Sequence, residues 1–425
     1  MNDVVIGVDG GTTAVKAVAF DLNGQIKASH HESVPVRYGA NGESEQDMAL
    51  LWEAVASCLR SVAEQVRGSR IVGVGLTGQG DGAWLVDADG EPVRPAANWM
   101  DGRAADRVDD WNFDGRGRAV LDVTGTTVFG GLFPVLYEEL AASEPEAVAR
   151  ATSHLNCKDW IRFKLTGVRA TDFTEASRTF LDVATTSGYN EPLAEKLGLS
   201  EALKLLPEIR RPAGEASPVT EEAAEATGIP AGTPVGVGMI DVAVTGMGLG
   251  RIADGDSWLI LGTTGFVGTL LPSVAERRSE LSMVLATGEG TQVLEFMAPM
   301  TGTPNLDWIR STLGLESQSW SEIEKMARAA GPGSHGVVYL PYASPGGERA
   351  PFLDTNASAS WQGMSLTSTR ADILRAVYEG VVFSLAECLN ALRITGPIVV
   401  SGGGFRSDLL CEILADVTAQ RVLRQ

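Results

Sequence analysis

Apolar positions alternate along the chain between short β-type runs and helical repeats. Val4, Val5, Ile6 and Val8 lead to Asp9, the chain passes through Gly10-Gly11-Thr12-Thr13, and the apolar pattern resumes from Ala17 to Phe20. Two strands joined by a tight turn are expected, because glycine adopts the positive backbone angles that a short hairpin requires. A turn at 21–25 leads to a third strand, Ile26 to Val36. Met48, Leu51, Trp52, Val55, Leu59 and Val62 then recur on one helix face, which predicts a helix over 47–66. Ile71 to Leu76 and Ala83 to Val86 read as strands around the connector Thr77-Gly78-Gln79-Gly80-Asp81-Gly82.

The middle third reads as mainly helical, from Pro134 to Ser153 and again from Trp160 to Leu165. A strand from Pro234 to Met239 leads to Asp241 and a small-residue helix, Val242 to Gly248. The polar, glycine-rich link 250–255 predicts a boundary, with one domain over 1–250 and a second over 251–425. Past it, Trp258 to Leu261 meets Gly262-Thr263-Thr264-Gly265 and another apolar run. That repeat of the opening pattern signals an internal duplication. A helix near 306–313, a Pro- and Gly-rich loop over 341–351 and a long helix, Ala371 to Arg393, follow. Ile398 to Val400 then ends in Ser401-Gly402-Gly403-Gly404 ahead of a helix, Asp408 to Ala419. The mixture is α/β.

Composition narrows the class. A chain of 425 residues is expected to hold two or three domains, and 44% apolar against 21% charged residues suits globular cores. The net charge of −20 argues against nucleic acid and anionic membrane surfaces as partners. An acidic protein that binds phosphates has to gather positive potential locally, which favours a metal–nucleotide complex over a bare polyanion. Cys58, Cys157, Cys388 and Cys411 are far apart, and the four histidines show no zinc spacing, so neither disulfides nor a zinc site is expected. The N-terminus has no signal-type segment and no apolar run is long enough to span a bilayer. A cytoplasmic location is expected.

Candidate chemistry sits at the glycine-rich loops. Gly10, Gly11, Thr12 and Thr13 leave backbone N–H groups and hydroxyls in one small space, which a polyphosphate requires. Asp9 is placed to hold hydrated Mg²⁺, which binds through one or two carboxylates and keeps several waters. Each feature has a plainer reading: an ordinary hairpin for the first loop, a strand-to-helix turn for Gly402–Gly404, a helix N-cap for Asp241.

Taken together, these segments resemble the actin-like ATPase superfamily, and within it the FGGY carbohydrate kinases. Gly7-x-Asp9-Gly10-Gly11-Thr12-Thr13 resembles that family's first phosphate motif, and Leu261-Gly262-Thr263-Thr264-Gly265 its second. Gly75-x-Thr77-Gly78-Gln79-x-x-Gly82 and Trp99-x-Asp101-x-Arg103 are similar to its sugar-contacting segments. Ser360 to Met364, with Arg375 to Gly380, looks like its C-terminal signature, and Ser401 to Val417 like its adenosine segment.

The resemblance implies two ribonuclease-H-like domains around a cleft, with the sugar mostly on the first and ATP mostly on the second. It implies Asp241 as the base that takes the proton of the attacking hydroxyl, and Asp9 as the Mg²⁺ site through water. Gly10–Thr13 with Gly262, Thr263 and Thr264 would clamp the phosphates. Gly402, Gly403 and Gly404 would let the backbone approach adenosine, and Ser407 would contact base or ribose. Gln79, Gly80, Asp81, Asp101 and Arg103 would join Asp241 at the sugar. Lys16 reads as a solvated strand residue.

Two departures matter. Gly80-Asp81 stands where D-xylulose-type kinases carry Met-His, and Val242 follows Asp241 where Asn is usual. Asp81 can accept from two adjacent hydroxyls and would repel a carboxylate, so a neutral ketose or polyol is expected rather than a sugar acid. Together with the segment Pro299 to Trp308, the connector looks closer to the L-xylulose and erythritol kinase subgroups. A pentulose is the first expectation and erythritol the alternative; a catalytically silent sugar sensor is the rival outside enzymes. Family members continue past the last helix, so truncation at Gln425 is expected. A homodimer is an assembly that the sequence leaves open.

Overall fold

The computed structural model describes residues 2–212, 214–344, 347–354 and 356–425; Pro345 and Gly346 of the Pro- and Gly-rich loop lie outside them. The chain forms two units, Met1–Thr245 with Val284–Val293, and Gly246–Met283 with Leu294–Gln425.

In the first unit, strand Asp3–Gly10 pairs antiparallel with Ala14–Asp21 and parallel with Arg70–Gly78. The sheet runs Ser217–Pro218, Pro234–Val235, Arg70–Gly78, Asp3–Gly10, Ala14–Asp21, Ile26–Ser33, and Met239–Ile240 also pairs with Arg70–Gly78. Alternation along Asp3–Gly10 buries Val4, Ile6 and Val8 with Val15 and Ala17. Leu51, Val55 and Leu59 of helix Met48–Gln65 and Trp160 and Ile161 of helix Cys157–Thr166 belong to the same core. The first of these helices starts where Asp47 accepts from the N–H groups of Ala49 (2.8 Å) and Leu50 (3.1 Å), a side-chain N-cap.

Three expected elements are cut short. The third strand stops at Ser33, ahead of Pro35, which has no N–H for a ladder. The helix expected over 134–153 divides into Phe133–Ser143 and Pro145–Arg150, because Pro145 forces Glu144 out of helical geometry (φ −130°). The strand expected over 234–239 divides into Pro234–Val235 and Met239–Ile240 at Gly238, where a Cβ would lie 2.0 Å from the Leu76 carbonyl oxygen.

This second break matters for the site. Met239 lies opposite Thr77, and Thr77 opposite Asp9, in parallel register. Three strands therefore end together at their carboxyl ends, where open α/β sheets bind ligands.

The second unit repeats the opening hairpin. Its sheet places Val293–Met297, Gly265–Leu271, Ser257–Leu261, Ile398–Ser401 and Val422–Arg424 in that order. Ser257–Leu261 pairs antiparallel with Gly265–Leu271 and parallel with Ile398–Ser401. Helix Arg370–Ala391 begins at a reciprocal cap between Thr369 and Asp372, and buries Leu374, Val377, Val381, Leu385 and Leu389. Among the described residues no helix is long and apolar enough to cross a membrane.

Candidate active site

Asp241 opens the helix Asp241–Gly248 directly after strand Met239–Ile240. The strand is pinned twice: the Thr77 hydroxyl donates to the Met239 carbonyl (2.8 Å), and the Ile240 N–H donates to Thr174 Oγ1 (3.0 Å). The Asp241 carboxylate accepts the N–H of the next residue, Val242, at 2.7 Å, and among the described residues makes no N-cap bond to the second or third residue of the turn. Burial pushes the Asp241 carboxyl up to about 7, helped by the negative charges of Asp9 and Asp81. A carboxylate poised near neutrality is suited to accept a proton from an alcohol. Asp9 stays solvent-accessible, yet it lies deep enough among neighbouring groups that desolvation raises its pKa, with Lys16 opposing.

At the first Gly-Thr-Thr loop, the Gly11 N–H closes the turn onto the Ala14 carbonyl (3.0 Å). The Thr12 hydroxyl accepts from Trp99 Nε1 (3.0 Å) and donates to Gln79 Oε1 (3.0 Å), while Gln79 Nε2 donates to Gln46 Oε1 (2.7 Å). Gln79 is buried, and its amide locks the loop to the connector. The N–H groups of Thr12 and Thr13 have no hydrogen-bond partner among the described residues, so they are backbone donors this loop leaves open.

Asp101 and Arg103 depart from the expectation of direct sugar contact. Asp101 is 1% exposed and accepts from the Ser44 N–H (2.9 Å), the Arg103 N–H (3.1 Å) and the Arg103 guanidinium (2.8 and 2.9 Å). Arg103 also pairs with Glu45 (2.7 Å) and Glu144 (3.2 Å), and Arg94 bridges the same two glutamates. Both residues are consumed by a closed ion network, in which Asp101 orients Arg103. The Asp–x–Arg spacing carries no signal of Glu45 or Glu144.

Gly80 and Asp81 are held from behind by a segment that sequence reasoning missed, Asp172 to Arg178. A Cβ at Gly80 would stand 1.9 Å from Ile240 Cδ1 and 3.3 Å from Glu175 Oε2, so a side chain here requires the Ile240 side chain, next to Asp241, to shift. Glu175 is fully buried, both its oxygens lack partners among the described residues, and burial drives its pKa well up. Asp81 adopts a left-handed backbone (φ 62°) and is bound by the guanidinium of Arg178 at 2.7 and 3.2 Å. Its charge is thereby offset, and the expected repulsion of a carboxylate substrate by Asp81 loses its premise.

In the second unit the Gly262 N–H donates to the Thr264 carbonyl (3.0 Å), and the N–H groups of Thr263 and Thr264 have no partner among the described residues, as in the first loop. Gly402 (φ 97°) packs its backbone against Leu261, whose carbonyl oxygen would lie 2.6 Å from a Cβ; Gly404 also packs on Leu261. Gly403 faces open space. It borders a cavity of about 510 Å³ with Gly262, Tyr378, Trp320, Arg406 and Ser407. Ser407 caps helix Asp408–Thr418 by accepting the Leu410 N–H (3.2 Å), which leaves its own proton to donate.

Residues 4–248 match the model of the N-terminal domain of the FGGY family of carbohydrate kinases, and residues 258–425 that of its C-terminal domain. The chain belongs to this family. It is similar to erythritol kinase of Brucella abortus (34% identity, covering 96% of this chain and 81% of the relative). It is also similar to a probable L-xylulose kinase of Pasteurella multocida (30%, covering 98% and 86%). The crystal structure of gluconate kinase from Lactobacillus acidophilus superposes with a TM-score of 0.91 at 26% identity, covering 100% of this chain and 86% of that one. Its two units have the actin-like ATPase fold of these kinases. As a carbohydrate kinase this FGGY protein uses ATP and a sugar-type acceptor. Among the described residues no group of three or more His, Cys, Asp or Glu gathers to form an all-protein metal cage. A single accessible carboxylate such as Asp9 would suit instead a cation that keeps most of its waters.

Proposed function

We propose that this kinase transfers the γ-phosphoryl group of ATP to a hydroxyl of a neutral four- or five-carbon ketose or polyol, with Asp241 as the base. The observation that carries the reading is the raised Asp241 carboxyl at the joint end of three strands, pinned by Thr77 and Thr174. Phosphoryl transfer depends mainly on positioning and charge stabilisation, and a base near neutrality adds to that. Asp9 would hold Mg²⁺ through water, and the metal would supply neutralisation of charge on the phosphates. In each unit by itself, the unpartnered N–H groups of the loop, Thr12 and Thr13 in the first and Thr263 and Thr264 in the second, are suited to take phosphate oxygens. Adenosine occupies the cavity beside Gly403, with Ser407 donating to base or ribose. Asp81 accepts acceptor hydroxyls, and Gln79 beside it ties the connector to the first phosphate loop.

A pentulose is supported by likeness to L-xylulose kinase, and erythritol by the higher identity to erythritol kinase. Initial rates with L-xylulose, D-xylulose, erythritol and gluconate separate these readings. The expected order places L-xylulose or erythritol at least about tenfold above gluconate in kcat/KM; gluconate as the best acceptor would sink the neutral-acceptor reading. At Gly403 a methyl group has room in the fold, so Gly403→Ala is expected to keep its Tm. It should raise the KM for ATP by about tenfold without moving the acceptor KM. An unchanged ATP KM removes Gly403 from the nucleotide site.

A further inference from the structure

Arg178 is 2% exposed and Asp81 13% exposed, and the guanidinium meets the carboxylate with one N–H on each oxygen. Nη1 of Arg178 donates to Thr126 Oγ1 at 3.0 Å, and the guanidinium lies 5.4 Å from the centre of the Phe129 ring. The Trp84 indole N–H donates to the Asp81 carbonyl at 3.0 Å, which holds the backbone of the same residue. Side chain and main chain of Asp81 are thus both fixed, in a backbone conformation that few residues other than glycine adopt. A carboxylate has about four lone-pair sites. The fork of Arg178 uses one on each oxygen and leaves one on each.

We infer that Arg178 is a positioning residue that sets acceptor specificity, holding Asp81 so that its two oxygens each accept one of two neighbouring acceptor hydroxyls. The substrate class it selects is one that carries a vicinal diol. The pair as a whole is neutral, so it selects by hydroxyl placement and not by charge. Arg178 reaches Asp81 from Asp172–Arg178, the segment whose Thr174 also pins the strand of Asp241, so acceptor position and base position share one support. This inference rests on the acceptor reading above.

The test is steady-state kinetics of D81N, R178K, R178M and the double variant D81N/R178M with ATP and the four acceptors. Each single change is expected to raise the KM of the preferred acceptor by about tenfold or more, with the ATP KM moving less than about twofold. Lysine keeps the charge but not the two-pronged contact, so R178K is expected to resemble R178M. The double variant is expected to be no worse than the worse single one, as coupled partners require. R178K decides the matter where R178M fails to fold: folded R178K with an unmoved acceptor KM overturns the inference. So does a double variant whose loss equals the product of the two single losses. A wild-type chain that phosphorylates none of the four overturns the acceptor reading and this inference with it. Normal wild-type turnover with an unmoved R178K overturns this inference alone.

Discussion

Asp241→Asn loses turnover by about 10²–10⁴-fold, the range of a general base, while the Kd for ATP stays within about twofold. The amide keeps the shape and still accepts the Val242 N–H, but it cannot take a proton. In the wild type, kcat/KM falls as pH drops through about 7, because only the ionised Asp241 accepts the proton. A stability measurement gives a second sign. The carboxyl titrates near 3.8 when the chain is unfolded and near 7 when folded. Between those values the folded state holds the extra proton, so wild-type stability falls as pH rises and the loss is complete above about 7. Asn escapes that cost. D241N is therefore more stable than the wild type at pH 8, by up to about 4 kcal/mol, and the gap closes toward pH 4. Equal denaturation midpoints at pH 8 would contradict the raised carboxyl. Loss of ATP binding in the variant would instead make Asp241 a metal ligand.

Lys158→Met is expected to cost about 3–5 kcal/mol, the penalty for stranding buried charges. Lys158 is fully buried and pairs with Asp159 and, at 2.9 Å, with Asp172, both equally buried. Its ammonium is held protonated by these carboxylates against the desolvation that opposes it. At roughly 2–4 °C per kcal/mol, the Tm falls by roughly 6–20 °C. The effect reaches the site by a traceable route. Asp172 accepts from the Thr174 N–H (2.8 Å) and hydroxyl (2.6 Å), and Thr174 in turn pins Ile240 beside Asp241. Thermal unfolding with kcat on the surviving fold checks both parts. An unmoved Tm would show that Asp159 and Asp172 find other partners.

The features legible in the sequence were local ones. A hairpin with Gly-Gly-Thr-Thr at its tip, its repeat at Gly262–Gly265 and a strand ending at Asp241 each depend on neighbours a few residues away. Turn chemistry and short-range periodicity read such features directly. The glycine triplet was legible as a loop, but the reason for two of its glycines was not. Gly402 and Gly404 are glycine because Leu261 fills the space a side chain would need.

What only the tertiary structure decided is which charges meet. Asp81 and Arg178 lie 97 residues apart in sequence, so no spacing rule joins them. Asp101 and Arg103 look like a free pair until Glu45 and Glu144 close the network around them. Burial raises the Asp241 carboxyl, and burial depends on every element packed around a residue. By itself the sequence determined the family, the α/β fold and the loops that offer donors to phosphate. The tertiary structure decided the ionisation of the base, and that Asp81 presents a clamped carboxylate rather than a free one.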